Sequence, residues 1–216
     1  MKLGVLGGTF NPVHLAHLRL AEELRESLGL DRVLLVPAGR PALKRVGIAS
    51  AQHRLEMVRR AVASNPALEV DDQEIRRRGP SYTVDTLAAL RTRHKSAVLW
   101  FVVGADTLPE LESWHEPKRL FELANFAVAT RPGYAADLRE LLPRALAAPF
   151  SDGPRGLVHA SGNELRAVPF TPLEISASDI RRRAANGESI RYLVPDEVRE
   201  YIAKHHLYEH EESEVD

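Results

Sequence analysis

The chain has 216 residues, 44% of them apolar and 27% charged, enough to bury one substantial core and ordinary for a globular protein. Its 29 basic and 30 acidic side chains leave a net charge of -1, without the basic excess of a dedicated nucleic-acid binder. The absence of cysteine excludes disulfides and thiolate metal sites and fits a reducing cytoplasm.

No stretch approaches the roughly 20 consecutive apolar residues that span a bilayer. Met1–Leu6 runs at once into glycines, with no room for the apolar segment of a signal peptide, so a soluble cytoplasmic protein is expected.

Strands are predicted at Leu3–Gly7, Arg32–Pro37, Leu68–Asp71, Val98–Gly104 and Phe126–Thr130. Most are continuous apolar runs, the pattern of strands buried on both faces. Helical periodicity lies between them, near Val13–Leu28, Ala51–Ser64, Val84–His94 and Ala135–Ala147, with Met57 on a core face. This alternation predicts an α/β fold, an open, mostly parallel sheet with helices on both faces and right-handed crossovers. Pro149–Gly162 reads as a loop with a short edge strand near Leu157–His159. A short helix follows Ile175, and a last helix runs from near Pro195 to about His206. The expected organisation is one domain over 1–208 and a frayed acidic tail over 209–216.

The most informative stretch is Gly7-Gly8-Thr9-Phe10-Asn11-Pro12-Val13-His14-Leu15-Ala16-His17, directly after the first strand. Two glycines let the backbone turn sharply and approach a ligand closely. Asn11 is a good N-cap and Pro12 a good first helical residue, so a helix is expected to start there with free N–H groups facing a crevice. Those groups and the helix dipole favour an anion, at the carboxyl ends of the strands where open parallel sheets bind ligands. His14 and His17, three residues apart, share one face of that first turn, and imidazoles there can donate to charge developing on a phosphoryl group. The glycines form neither a Walker loop nor a G-x-G-x-x-G fingerprint.

This stretch resembles the signature of bacterial nicotinate mononucleotide adenylyltransferases, members of the nucleotidyltransferase superfamily with H-x-G-H-type motifs. Ala16 stands where the family usually has Gly, and Asn11 where Asp is frequent. Ile175-Ser176-Ala177-Ser178-Asp179-Ile180-Arg181 resembles the family's second signature, I-S-x-S-x-I-R. Serines at a helix start offer donors, and Arg181 offers a planar fork for phosphate oxygens, while Arg182 and Arg183 read as surface residues.

Gly79-Pro80-Ser81-Tyr82-Thr83-Val84-Asp85-Thr86-Leu87 is another match. The resemblance implies that backbone near Thr83 meets the nicotinate carboxylate. Phe101–Leu108 matches the family's next strand and loop, where Gly104 ends a buried strand and Asp106 can accept ribose hydroxyls at the crevice edge. The resemblance implies that Trp114 stacks the pyridine ring. Lys44 lies in a loop that departs from the family pattern at Ala42 and Leu43, and it is a candidate for the acceptor phosphate. Arg131-Pro132-Gly133 and Tyr192-Leu193-Val194-Pro195 also match and read as architectural. Arg76, Arg77 and Arg78 form a solvated run, and His205, His206 and His210 read as exposed rather than as metal ligands.

The resemblance implies a Rossmann-like nucleotidyltransferase fold and a single reaction. ATP and nicotinate mononucleotide give nicotinate adenine dinucleotide and pyrophosphate, a step of NAD biosynthesis. It assigns ATP binding to Gly7, Gly8, Thr9, Phe10, Gly104, Asp106 and Ser178, and catalysis to His14, His17 and Arg181. Mg²⁺ is expected to arrive on the ATP phosphates with water completing its shell, without a protein metal site. Rival readings are an adenylyltransferase for nicotinamide mononucleotide or phosphopantetheine, and a non-catalytic nucleotide sensor. A sensor is expected to have lost His14, His17 or Arg181, and all three are present. A nucleic-acid or membrane partner is not expected, and a homo-oligomer is left open.

Overall fold

Alternate residues of the central strands enter opposite cores. In β1 (Lys2–Gly8), Leu3 and Val5 join one cluster of buried residues and Leu6 the other. The computed structural model describes residues 1–40, 47–131 and 137–209. After β1 come α1 (Leu15–Leu28), β2 (Arg32–Pro37), α2 (Ala51–Val62), β3 (Leu68–Val70), α3 (Gln73–Arg76), α4 (Thr83–Arg93) and β4 (Val98–Gly104). A 3-10 helix at Leu108–Ser113 leads to α5 (Pro117–Leu123), β5 (Asn125–Thr130), α6 (Leu138–Leu141) and α7 (Arg144–Ala147). The chain ends with β6 (Phe150–Gly153), β7 (Gly156–His159), β8 (Glu164–Pro169), α8 (Ala177–Ala185) and α9 (Asp196–Lys204).

These strands make one eight-stranded sheet in the order β3-β2-β1-β4-β5-β8-β7-β6. The first six are mutually parallel, and β7 and β6 close the far edge antiparallel. The expected α/β fold, mostly parallel and covered on both faces, is therefore present. One core holds Leu34, Val36, Phe101 and Phe126 with α4 and α5, and the other holds Leu35, Val33 and Val102 with α1, α2 and α9. Met57 is fully buried in the second, as its helical position predicts. Among the described residues, no helix is long and apolar enough to cross a membrane.

Strand order reverses between β1 and β4, because the chain builds outward through β2 and β3 and then returns to β1's other side. The register of this pair runs from Lys2 opposite Val98 to Val5 opposite Phe101. Beyond it β1 continues to Gly8 and β4 to Gly104 without pairing to each other, and a crevice opens at the carboxyl ends where such sheets bind ligands.

Three predicted elements differ. The helix expected near Val13 begins only at Leu15, and its N-cap is His14 in extended conformation (φ -144°, ψ 171°), not Asn11. The Asn11 side chain is occupied by other bonds, and Pro12 and Val13 are buried rather than helical. The single helix expected at Ala135–Ala147 appears, over its described part, as α6 and α7, separated by Pro143, which cannot continue a helix. In the loop expected at Pro149–Gly162, the short strand expected near Leu157–His159 is present as β7, but it pairs with an unexpected β6 that takes the sheet edge, and β8 follows into the parallel sheet beside β5. β6 is only four residues long and ends at Gly153 before the turn, so little periodicity marks it.

Candidate active site

The turn after β1 forms the floor of the crevice. Phe10 has φ 48°, and its buried ring lies across Gly8, so that a β-carbon at Gly8 would stand 3.1 Å from it. A side chain at Gly8 would have to push the Phe10 ring back by a few tenths of an ångström, so the constraint there is space rather than φ. The ring edge meets His17 at 5.0 Å between centroids, and His17 stacks on His14 at 3.6 Å and 24°. One loop and the first turn of α1 thus bring the two histidines together.

Their protonation states follow from burial. Desolvation lowers His14 from an ordinary value near 6.5 to about 4. Desolvation first, then the proximity of His14, lowers His17 to about 3. Both rings are neutral at pH 7. The His14 backbone N–H donates to His17 Nδ1 at 3.2 Å, so the proton of the neutral His17 ring belongs on Nε2, leaving Nε2–H as a donor. His14 Nδ1 is buried and has no hydrogen-bond partner among the described residues. An orphaned polar atom at this place suits a ligand that supplies the missing partner.

These shifts carry a stability prediction. Between pH 6.5 and about 4 the unfolded chain binds protons that the folded histidines refuse, so stability falls as pH falls through that window. His17→Gln is expected to lose less stability than the wild type between pH 7 and 5, read as the shift in urea midpoint. Equal losses would show that His17 is not held neutral.

Arg181 reaches this turn from α8. Its Nη1 donates to the Asn11 carbonyl at 3.0 Å, across 170 residues of sequence. Asn11 is a buried hub: its amide nitrogen donates to Gly47 O (2.9 Å), while its Oδ1 accepts from the Ala49 N–H (3.0 Å) and the Tyr208 hydroxyl (2.9 Å). The Gly47 bond needs an amide and is closed to the Asp frequent in the resembling family. Ser176, not Ser178, caps α8 by accepting from Asp179 N–H at 3.1 Å, and its hydroxyl lies 3.2 Å from that of Ser178.

Two cavities meet at the glycine turn. The larger, of about 870 Å³, runs along the carboxyl end of β4 and is lined by Gly7, Val102, Gly104, Asp106 and Arg131 among others. The smaller, of about 370 Å³, is lined by Gly8, Thr9, Ser81, Tyr82, Thr83 and His115. Gly7, Phe101, Thr107 and Trp114 border both. His14, His17, Ser178 and Arg181 line neither. They flank the turn a few residues further on and at α8. Thr83 is the first residue of α4, whose N-cap Tyr82 makes no side-chain capping bond, so its first-turn amides have no side-chain competitor for a carboxylate.

Trp114 is half-buried, meets Phe101 in a T-shaped contact at 6.2 Å, and borders both cavities. Lys44 lies outside the described residues. Among the described residues, no group of three His, Asp or Glu side chains could hold a metal ion.

Three features of the site lie outside the sequence expectations. His115 stacks on Tyr82 at 4.3 Å beside Trp114, a pairing between distant segments that no local pattern signals. Glu74 lines the smaller cavity, and burial pushes its carboxyl up although Thr86 Oγ1 donates to it at 2.6 Å. Arg54 is buried behind the turn, and its signal was an arginine four residues before Val58 on the apolar stripe of α2.

Comparison with known proteins identifies the family. Residues 5–183 match the cytidylyltransferase-like family. A protein of Trichlorobacter lovleyi named "probable nicotinate-nucleotide adenylyltransferase" is 48% identical over 212 residues, covering 97% of this chain and all of that one. A protein of Thermomicrobium roseum with the same name is 45% identical over 96% of this chain and 91% of its own. The fold is also that of the Plasmodium falciparum nicotinic acid mononucleotide adenylyltransferase solved with NaAD. The TM-score is 0.73 at 18% identity, over 96% of this chain and 97% of that one. A crevice at the strand reversal, the glycine turn with its paired imidazoles and this near-complete sequence match lead to one assignment: the chain belongs to the cytidylyltransferase-like family and, within it, to the nicotinate-nucleotide adenylyltransferases.

Proposed function

We propose that this chain transfers the adenylyl group of Mg-ATP to nicotinate mononucleotide, releasing nicotinate adenine dinucleotide and pyrophosphate in NAD biosynthesis. The observation that carries this reading is the pair of cavities meeting at Gly7, one along the end of β4 and one against the start of α4. Two nucleotides seated there would bring their phosphates to the glycine turn.

The acceptor phosphate is already ionised near pH 7, since the second pKa of a phosphate monoester is about 6. Its oxygen attacks the α-phosphorus in line, the bond to the β-phosphate oxygen breaks, and pyrophosphate leaves. No general base and no covalent intermediate is required, so catalysis is positioning and charge neutralisation. Backbone of Gly7, Gly8, Thr9 and Phe10 cradles the phosphates, and His14 and His17 donate to α- and β-phosphate oxygens. Ser178 and Arg181 hold the end that departs. Asp106, beside Gly104, takes the ribose hydroxyls of ATP. Mg²⁺ would enter as part of the substrate, bound through the ATP phosphates and water, and would neutralise charge on the departing pyrophosphate.

Thr83 and the start of α4 receive the nicotinate carboxylate, Trp114 stacks the pyridinium ring, and Lys44 is proposed for the acceptor phosphate. A helix N-terminus favours an acid over an amide, which supports nicotinate over nicotinamide.

The test is incubation with Mg-ATP and, separately, nicotinate mononucleotide, nicotinamide mononucleotide and phosphopantetheine, quantifying pyrophosphate and adenylylated product. The expected result is the highest kcat/KM for nicotinate mononucleotide. A higher value for either other acceptor would overturn the assignment.

A further inference from the structure

Arg54 takes no part in the contacts assigned above, yet it is among the largest fully buried side chains, 1% exposed on α2. Its guanidinium donates to three main-chain carbonyls: Nε to Ala49 at 3.1 Å, Nη1 to Thr9 at 2.9 Å and Nη2 to Gly39 at 3.0 Å. The three belong to separate segments, the turn after β1, the loop after β2 and the approach to α2. It forms no ion pair with a carboxylate among the described residues. Glu74 and Tyr208 act on it only through longer-range charge, and burial lowers its pKa. An arginine keeps its charge under such a shift.

Burying a cation with no carboxylate beside it is costly, and the three carbonyl bonds offset that cost. What an apolar residue cannot do is span three carbonyls with one rigid fork. The Gly39 end of this fork is itself fixed. A β-carbon at Gly39 would collide with the Glu74 carbonyl, and the Gly39 N–H donates to Ser81 Oγ at 3.0 Å. The Ser81 N–H in turn donates to the Arg40 carbonyl at 3.2 Å. Ser81 and Thr83 line the smaller cavity, and Thr9 belongs to the glycine turn. A continuous path therefore runs from Thr9 through Arg54 and Gly39 to Ser81, from the donor's phosphate turn to the acceptor's wall.

We propose that Arg54 is a positioning residue that sets the spacing between the glycine turn and the Gly39–Ser81 wall, and so the line of attack between the two bound nucleotides. This rests on the adenylyl-transfer reading. Lysine at this position keeps the charge but cannot span the three carbonyls, and methionine removes both.

The test is steady-state kinetics and amide hydrogen exchange on R54K and R54M. For R54K the expected result is a fall in kcat on the order of 10²-fold, the scale of a misplacement of about 1 Å, with the KM of each substrate changed far less. R54M is expected to fall further. In R54K, exchange over residues 7–10 and 37–40 should quicken together. A kcat within about twofold of wild type in R54K, or quickened exchange confined to α2, would overturn the proposal. Should R54M fail to fold, R54K alone decides. Exchange needs no substrate, so a wild-type protein inactive on nicotinate mononucleotide would sink the reaction assignment while leaving the coupling of the two loops to be judged separately.

Discussion

His17→Ala is expected to lower kcat by about 10²–10³-fold with Mg-ATP and nicotinate mononucleotide, the usual loss when one oriented donor to a developing oxyanion is removed. The size follows from how firmly the ring is held. It is wedged between the His14 face and the Phe10 edge, and its Nδ1 is fixed by the His14 N–H. Because burial holds it neutral, with a pKa of about 3, its Nε2 proton is available at every pH at which the protein is folded and the acceptor ionised. Alanine leaves the His14 N–H without this acceptor and removes two ring contacts, a modest structural loss. The checks are steady-state rates and a urea midpoint measured on the same preparation. A kcat within a few-fold of wild type would remove His17 from the mechanism.

Phe126→Ala is expected to cost about 3–5 kcal/mol of stability, the range for deleting a fully buried aromatic ring. Phe126 is completely buried on β5 and lies 5.4 Å from Phe101 and 4.6 Å from Phe121 between ring centroids. Phe101 in turn meets Trp114, so the core packs directly beneath the proposed pyridine platform. The same substitution should therefore raise the KM for the acceptor more than the KM for ATP. Urea unfolding and the two KM values test it together. A stability loss below about 1 kcal/mol would mean that the surrounding rings close the cavity.

Much of this could be read from residue order. The parallel sheet was legible because Arg32–Pro37 and Val98–Gly104 are continuous apolar runs, and strands with both faces covered need no alternation. The glycine turn was legible because two glycines between a strand and a helical pattern leave few alternatives. The start of α1 was misread because a capping residue was expected to cap. Asn11 instead spends its side chain on Gly47, Ala49 and Tyr208, bonds to segments 36 to 197 residues away that no local rule contains. Beyond Pro149 only the Leu157–His159 strand is legible; β6 is too short to show a period, and β8 is placed by pairing with β5 rather than by its own pattern. Arg54 escaped notice for a related reason: its partners are carbonyls, which look alike at every residue.

The central claim is that the paired imidazoles and Arg181 act on one triphosphate, and the Arg181–Asn11 bond brings them to the same turn. The most direct measurement is a double-mutant cycle on kcat/KM with His17→Ala and Arg181→Ala. Groups serving one transition state are coupled, so the double variant should be slower than wild type by clearly less than the product of the two single factors, a coupling of about 1 kcal/mol or more. Effects that multiply without remainder would mean that the two side chains act on separate events, and would contradict the account.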